Sequence, residues 1–340
     1  MQFTENLWIN LLVFAIGLAV LIKGSDWFID GAAYIAKHFN VPDIIIGLTL
    51  VSIGTSLPEL ATNVYSSLNG NPEVSMGVIP GSNVANILLV LGVSVVCMKR
   101  VEVTKVMFHR DSMVMTTAFV MFACMCYFSP INVKNADGTM SQQMGLGMLE
   151  AIVLLVAFVA YMYFLISHKG EIEKEVEQAE HEVEVLFINS MPRAVFFLFL
   201  GGVLVALGAQ AMVDNVVWIA DEKLHVPIPI ITATVVAFGT SVPELAVTLA
   251  GVIKKKSDIA LGNIVGSSIF NLIFVMGITG LISPVPVGPD VALFILPYML
   301  ASGVALVIFM RTGWALVRWE GIVLVLGYIS YLGVSVYRAM

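Results

Sequence analysis

Charge is what this chain has least of. Asp, Glu, Lys and Arg make up 12% of its 340 residues, against roughly 25% in soluble domains, while 59% are hydrophobic. An ordinary water-soluble globule is excluded, and no nucleic-acid partner is expected. Cysteine is scarce as well. Cys97, Cys124 and Cys126 lie in or near apolar runs without paired His spacing, which excludes a zinc centre and a disulfide framework. His38, His109, His168, His181 and His225 all fall in loops or span ends, where a proton relay is not expected. The first apolar run, Leu7 to Ile22, lacks a cationic leader and a small-residue cleavage site, so it reads as a span and not a signal peptide.

What is abundant is long apolar runs. They are continuous, not alternating, which excludes a membrane barrel and predicts an all-α membrane protein. Ten spans are expected, at 7–24, 44–68, 74–98, 108–128, 146–167, 192–214, 228–253, 258–283, 290–310 and 315–337, most near the roughly 20 residues a bilayer core requires. With this count, roughly 14 of the 17 Lys and Arg fall on the side opposite the N-terminus. That side is therefore expected in the cytoplasm of a plasma membrane (the inner membrane in a bacterium), with both termini extracytoplasmic.

The chain also repeats itself. Gly54-Thr55-Ser56-Leu57-Pro58-Glu59 returns as Gly239-Thr240-Ser241-Val242-Pro243-Glu244, and at the same offset Gly81-Ser82 matches Gly266-Ser267 and Asn86 matches Asn271. About 20 of about 52 positions from Val41 to Gly92 are identical without a gap. Five spans precede the acidic segment 168–190 and five follow it, so the second half enters from the opposite side. The expected organisation is a first five-helix repeat (1–167), an acidic cytoplasmic linker (168–190) and a second repeat (191–340), in inverted topology. The linker carries seven Glu without EF-hand spacing and reads as a solvated connection.

Glu59 and Glu244 fall inside apolar spans. At bilayer centre the two together cost on the order of 5–7 kcal/mol unless something compensates. No Lys or Arg lies in the interior of the second, third, seventh or eighth span, which leaves protonation, water or a bound cation. Pro58 and Pro243 disrupt helical hydrogen bonding, and backbone carbonyls freed at membrane depth are tolerated only where buried or lining a cavity. Thr55, Ser56, Thr240 and Ser241 add hydroxyls. Carboxylate, hydroxyl and carbonyl oxygens suit Na⁺ and Ca²⁺ and suit zinc or copper poorly. Ser82 with Asn86, and Ser267 with Asn271, are each four apart, share a helical face and complete the site. Asp26 and Asp30, whose repeat counterparts are Ala211 and Asn215, read as interfacial.

These paired blocks resemble the alpha repeats of the cation/calcium antiporter superfamily, and the chain looks like a prokaryotic sodium/calcium exchanger over essentially its whole length. The resemblance implies an ion cluster between the second, third, seventh and eighth spans. Glu59 and Glu244 would be shared ligands for Ca²⁺ and Na⁺, with oxygens from Thr55, Ser56, Thr240, Ser241, Ser82 and Ser267. Backbone carbonyls of Ser52 and Ala237 would join them, and Asn86 and Asn271 would flank the centre. The first and sixth spans would slide across this core. Asn at both final motif positions resembles the potassium-independent branch, and the lack of a further carboxylate argues against proton coupling. Val78 and Pro80 interrupt the family's Gly-Asn-x-x-Gly pattern, which Gly262–Gly266 keeps, so Pro80 is expected to distort the third span before Ser82.

The expected activity is secondary antiport by alternating access, expelling Ca²⁺ on the sodium gradient, with the bilayer and the two ions as partners and no cofactor. Potassium-dependent exchange and calcium/proton antiport are the alternatives, and a cation channel is more remote because channels tend to use ligand rings across several subunits. An enzyme is not expected, since no Ser-His arrangement or His-Glu-x-x-His motif is present.

Overall fold

A backbone in lipid must satisfy its own hydrogen bonds, so the apolar runs fold as helices. The computed structural model describes residues 7–39, 41, 43–105, 107–134, 140–168, 188–218, 241–254 and 256–339. Most of the acidic linker, and the first half of the expected seventh span with Ala237 and Thr240, lie outside the described residues.

The first half contains α1 (Leu7–His38), then an interrupted span of α2 (Asp43–Ile46), a π-helical stretch Gly47–Val51, α3 (Ser52–Thr55) and α4 (Leu57–Leu68). It continues with α5 (Glu73–Ala85), a π stretch Asn86–Leu91, α6 (Gly92–Met98), a π stretch Met107–Ser112, α7 (Met113–Phe128) and α8 (Met148–Ser167). Among the described residues of the second half, the elements from α4 onward recur in the same order. Here α9 (Met191–Trp218), α10 (Val242–Ile253) and α11 (Ser257–Ile269) lead to a π stretch Phe270–Val275 and α12 (Met276–Ile282). A π stretch Val291–Ile295, α13 (Leu296–Arg311) and α14 (Arg318–Ala339) complete it.

Among the described residues, eight helical stretches are long and apolar enough to cross a membrane. Two expected spans are not among them: the second, interrupted at Ser56, and the seventh, described from Ser241 onward. The first helix runs some fourteen residues past the expected boundary at 24, and on this extension Asp26 and Asp30 both pair with Lys254 at the end of α10, at 3.5 and 2.8 Å. The interfacial expectation for these two acids thus becomes a link between helices. Pro80 does not act as expected. The helix continues through it from Glu73 to Ala85, and the π stretch that follows has a counterpart at Phe270–Val275 where no proline precedes it.

Short strands, absent from the sequence-based expectation, join loops. β1 (Arg100–Glu102) pairs with β5 (Ala315–Val317), while β2 (Pro130–Lys134), β3 (Met140–Leu146) and β4 (Val285–Pro286) form a three-stranded sheet. Val101, Leu146, Val285 and Leu316 on these strands are buried against the helix ends. Such pairing satisfies backbone groups where the helices stop.

The largest core cluster surrounds the two most buried spans, Glu73–Met98 and Ser257–Ile282. A second cluster lies where α1 meets α9 and α10. Helices α1 and α9 pack along their length in antiparallel sense: Gly208 abuts the Gly17 carbonyl, Gly201 that of Gly24, and Gly31 that of Ala194. A β-carbon at Gly201 would stand 2.6 Å from the Phe28 amide nitrogen and 2.7 Å from the Gly24 carbonyl oxygen, and backbone cannot give way as a side chain does. Small residues here set the helix spacing. Gly201→Leu should therefore destabilise the protein by about 1–3 kcal/mol, read as a lower thermal unfolding midpoint in detergent.

Candidate functional site

The second span breaks at Ser56, whose backbone leaves the helical region (φ −91°, ψ 5°), and Ser241 adopts nearly the same conformation (φ −93°, ψ 2°). A new helix begins immediately after each. Pro58 and Pro243 sit in its first turn, where a missing N–H costs nothing. Proline therefore starts a helix here more than it kinks one. Each carboxylate occupies the third helical position, and Ser-x-x-Glu is the sequence of a capping box. The box is not closed in either half, since neither serine side chain caps its helix. Ser56 instead donates to Glu244 Oε1 at 3.2 Å, across to the other half of the chain.

Glu59 and Glu244 are both buried, and Ser56, which precedes the helix of Glu59, reaches Glu244 directly. Among the described residues, Glu59 Oε1 and Oε2 and Glu244 Oε2 have no hydrogen-bond partner. The two helix starts favour negative charge, but each contributes at most about 1–2 kcal/mol, less than burial demands. Among the described residues no three His, Cys, Asp or Glu gather, so the negative charge at this site comes from the two carboxylates.

Around them runs a polar network. Thr55 donates to Asn263 Oδ1 at 3.0 Å and lies 3.3 Å from the Ser267 hydroxyl. The Ser52 carbonyl accepts the Ser56 amide at 3.1 Å and faces the Ser267 hydroxyl at 3.4 Å. Asn263 Nδ2 donates to Thr248 at 3.1 Å, tying α11 to α10. Ser82 is buried on α5, and Ser241 is buried with its hydroxyl unpartnered. Asn86 and Asn271 open their π stretches or lie one residue in, buried, with both amide atoms unpartnered. The stretch bearing Asn271 packs against α4, which carries Glu59; the stretch bearing Asn86 packs against α10, which carries Glu244.

The structure thus joins Ser52, Thr55 and Ser267 directly, and Ser56 with Glu244. It buries Glu59, Ser82, Ser241, Asn86 and Asn271 on the same four spans. Thr240 and Ala237 lie outside the described residues. Asn263, the hub of the network, is not among the site residues expected from the sequence, and its position in the retained Gly-Asn-x-x-Gly pattern is the one signal that marks it. A narrow cavity lies between α1, α9 and the two breaks, lined by Phe28, Gly54, Thr55, Pro58, Gly202 and Pro243 among others. A β-carbon at Gly54 would meet the Phe28 ring at 2.6 Å.

The chain that carries this arrangement has matches among known proteins over nearly its whole length. The sodium/calcium exchanger protein family model covers residues 9–167 and 193–337. The chain belongs to the sodium/calcium exchanger family. It is 32% identical to the sodium/calcium exchanger MaX1 of Methanosarcina acetivorans, over 97% of this chain and 99% of that one. The inner membrane protein YrbG of Escherichia coli is 31% identical over 81% of this chain and 80% of its own. Among solved structures, the sodium-calcium exchanger NCX_Mj, soaked without Na⁺ and Ca²⁺, superposes with a TM-score of 0.76 at 28% identity, covering 96% of this chain and 98% of that one. The family is one of membrane transporters, and the protein is an integral membrane exchanger with membrane-spanning helices.

Asn263→Leu removes the acceptor for Thr55 and the donor to Thr248, each hydrogen bond contributing about 0.5–1.5 kcal/mol. Calcium affinity, titrated calorimetrically on purified protein, should fall about 3–10-fold. Unchanged affinity would separate Asn263 from the ion site.

Proposed function

We propose that this protein exchanges Na⁺ for Ca²⁺ across the membrane by alternating access, expelling Ca²⁺ as Na⁺ enters. The observation that carries the reading is the buried Glu59–Glu244 pair, which among the described residues keeps three carboxylate oxygens unpartnered and pairs with no Lys or Arg. Two negative charges balance one Ca²⁺ or a set of Na⁺ ions, but not both together. Shared ligands therefore make the ions compete, and competition couples the two fluxes. Thr55, Ser56, Thr240, Ser241, Ser82 and Ser267 supply neutral oxygens in this reading, with the Ser52 and Ala237 carbonyls, and Asn86 and Asn271 flank the centre. Ca²⁺ and Na⁺ are substrates; the reading requires neither cofactor nor covalent catalysis.

Ten spans in two inverted five-helix repeats, 1–167 and 191–340 joined by the linker 168–190, are part of the same proposal. The recurrence of element order in both halves supports it, as does the antiparallel packing of α1 against its counterpart α9. Strand pairing supports the side assigned to each loop: β1 meets β5 from two loops expected in the cytoplasm, and β2–β3 meets β4 from two expected outside. Both termini are then extracytoplasmic. Mirrored halves give the outward and inward states similar energies, so a gradient sets the direction. When more sodium charge than calcium charge moves, each net charge gains about 2.3 kcal/mol per 100 mV.

Glu59→Gln and Glu244→Gln should each abolish sodium-driven Ca²⁺ uptake into proteoliposomes while the purified protein stays monodisperse. Robust flux in either variant would remove the site assignment. Asn86→Asp and Asn271→Asp add a carboxylate beside the pair and should raise cation affinity and make the exchange rate more pH-dependent. A flat pH profile in both would place these two amides outside the ion cluster.

A further inference from the structure

The two halves differ beside their carboxylates. In the second half, Asn263 donates to Thr248, one turn beyond Glu244. The repeat counterpart of Thr248 is Asn63, and that of Asn263 is Val78, which cannot donate or accept. Asn63 consequently bonds only its own helix, donating to the Glu59 carbonyl at 2.7 Å, and its Oδ1 is buried without a partner. One turn further along α4, Ser67 is buried with an unpartnered hydroxyl, and so is Ser75 on the facing α5. Their counterparts are Val252 and Ala260. Glu59, Asn63 and Ser67 recur every four residues and so follow one flank of α4, from the central carboxylate toward the Leu68 end.

We propose that Asn63 and Ser67 form an access site for Na⁺ on the Leu68 side of the protein, with no equivalent on the opposite side. A neutral amide oxygen and a hydroxyl replace part of a sodium ion's hydration shell without adding charge. Such a site holds the ion weakly enough to pass it to Glu59. The inference rests on the exchange reading above and adds to it a chemical inequality between the two faces.

The test is sodium-dependent Ca²⁺ flux in right-side-out and inside-out vesicles, titrating Na⁺ at each face separately. The double variant Asn63→Leu/Ser67→Ala should raise the apparent KM for Na⁺ at the Leu68 face about fivefold, the effect of losing one or two modest polar contacts. The KM at the other face should stay unchanged. Val78→Asn, which offers Asn63 the partner its counterpart has, should act in the same direction and serves where the double variant folds poorly. Asn63→Asp should lower the KM at the Leu68 face alone. Equal shifts at both faces, or no shift in any variant, would overturn the access site. Absence of sodium-driven flux in the parent protein would instead overturn the exchange reading.

Discussion

Two carboxylates are buried in the interior, with no Lys or Arg paired to them among the described residues, and much of the architecture answers that constraint. Each acid stands in the first turn of a helix that begins at membrane depth, after a serine that leaves the helical conformation. The break supplies the favourable end of a helix dipole, but the magnitude is too small to hold two buried charges. The capping serines could have closed a local box with their glutamates. They do not, and Ser56 reaches the opposite glutamate instead. Local stability of the helix start is exchanged for a contact between the two halves, the pattern expected when a functional site overrides a local preference.

Around that centre the protein divides into parts of different character. The spans Glu73–Met98 and Ser257–Ile282 are deeply buried, and the second carries Asn263 and Ser267, which bond Thr248 on α10 and Thr55 on α3. Short sheets tie the loops of one half to those of the other. Helices α1 and α9 are instead bound to each other by glycine contacts against backbone, and reach α10 through the Asp26–Asp30–Lys254 cluster. A pair so closely fitted moves as one body if it moves at all, and a part-exposed charge cluster is easily rehydrated when it separates.

The course of the chain was legible from composition because length and apolarity alone decide whether a helix can span a bilayer. The paired acids were legible because a charge costs so much there that two in register demand an explanation. Finer features were not. Pro80 reads as a breaker by intrinsic propensity, yet packing carries the helix through it, an instance of tertiary context overriding local preference. The π stretches leave no periodic trace in sequence, since one extra residue per turn barely alters which positions look apolar. The strands are only two to seven residues long and flank helices, below the length at which alternation is readable. Asn263 was hidden because its role arises from contacts with Thr55, more than two hundred residues away.

The first glycine of the Gly-Thr-Ser block has a meaning that helix propensity misses. Its missing β-carbon leaves the room into which the Phe28 ring projects from α1. The aromatic ring and the empty spot beside Thr55 are thus a lock and its notch, cut in two different helices. Any displacement of α1 must lift that ring away from the turn that carries the Thr55 hydroxyl. The position of α1 and the shape of the break at Ser56 are therefore mechanically geared together, through a contact that contains no polar atom.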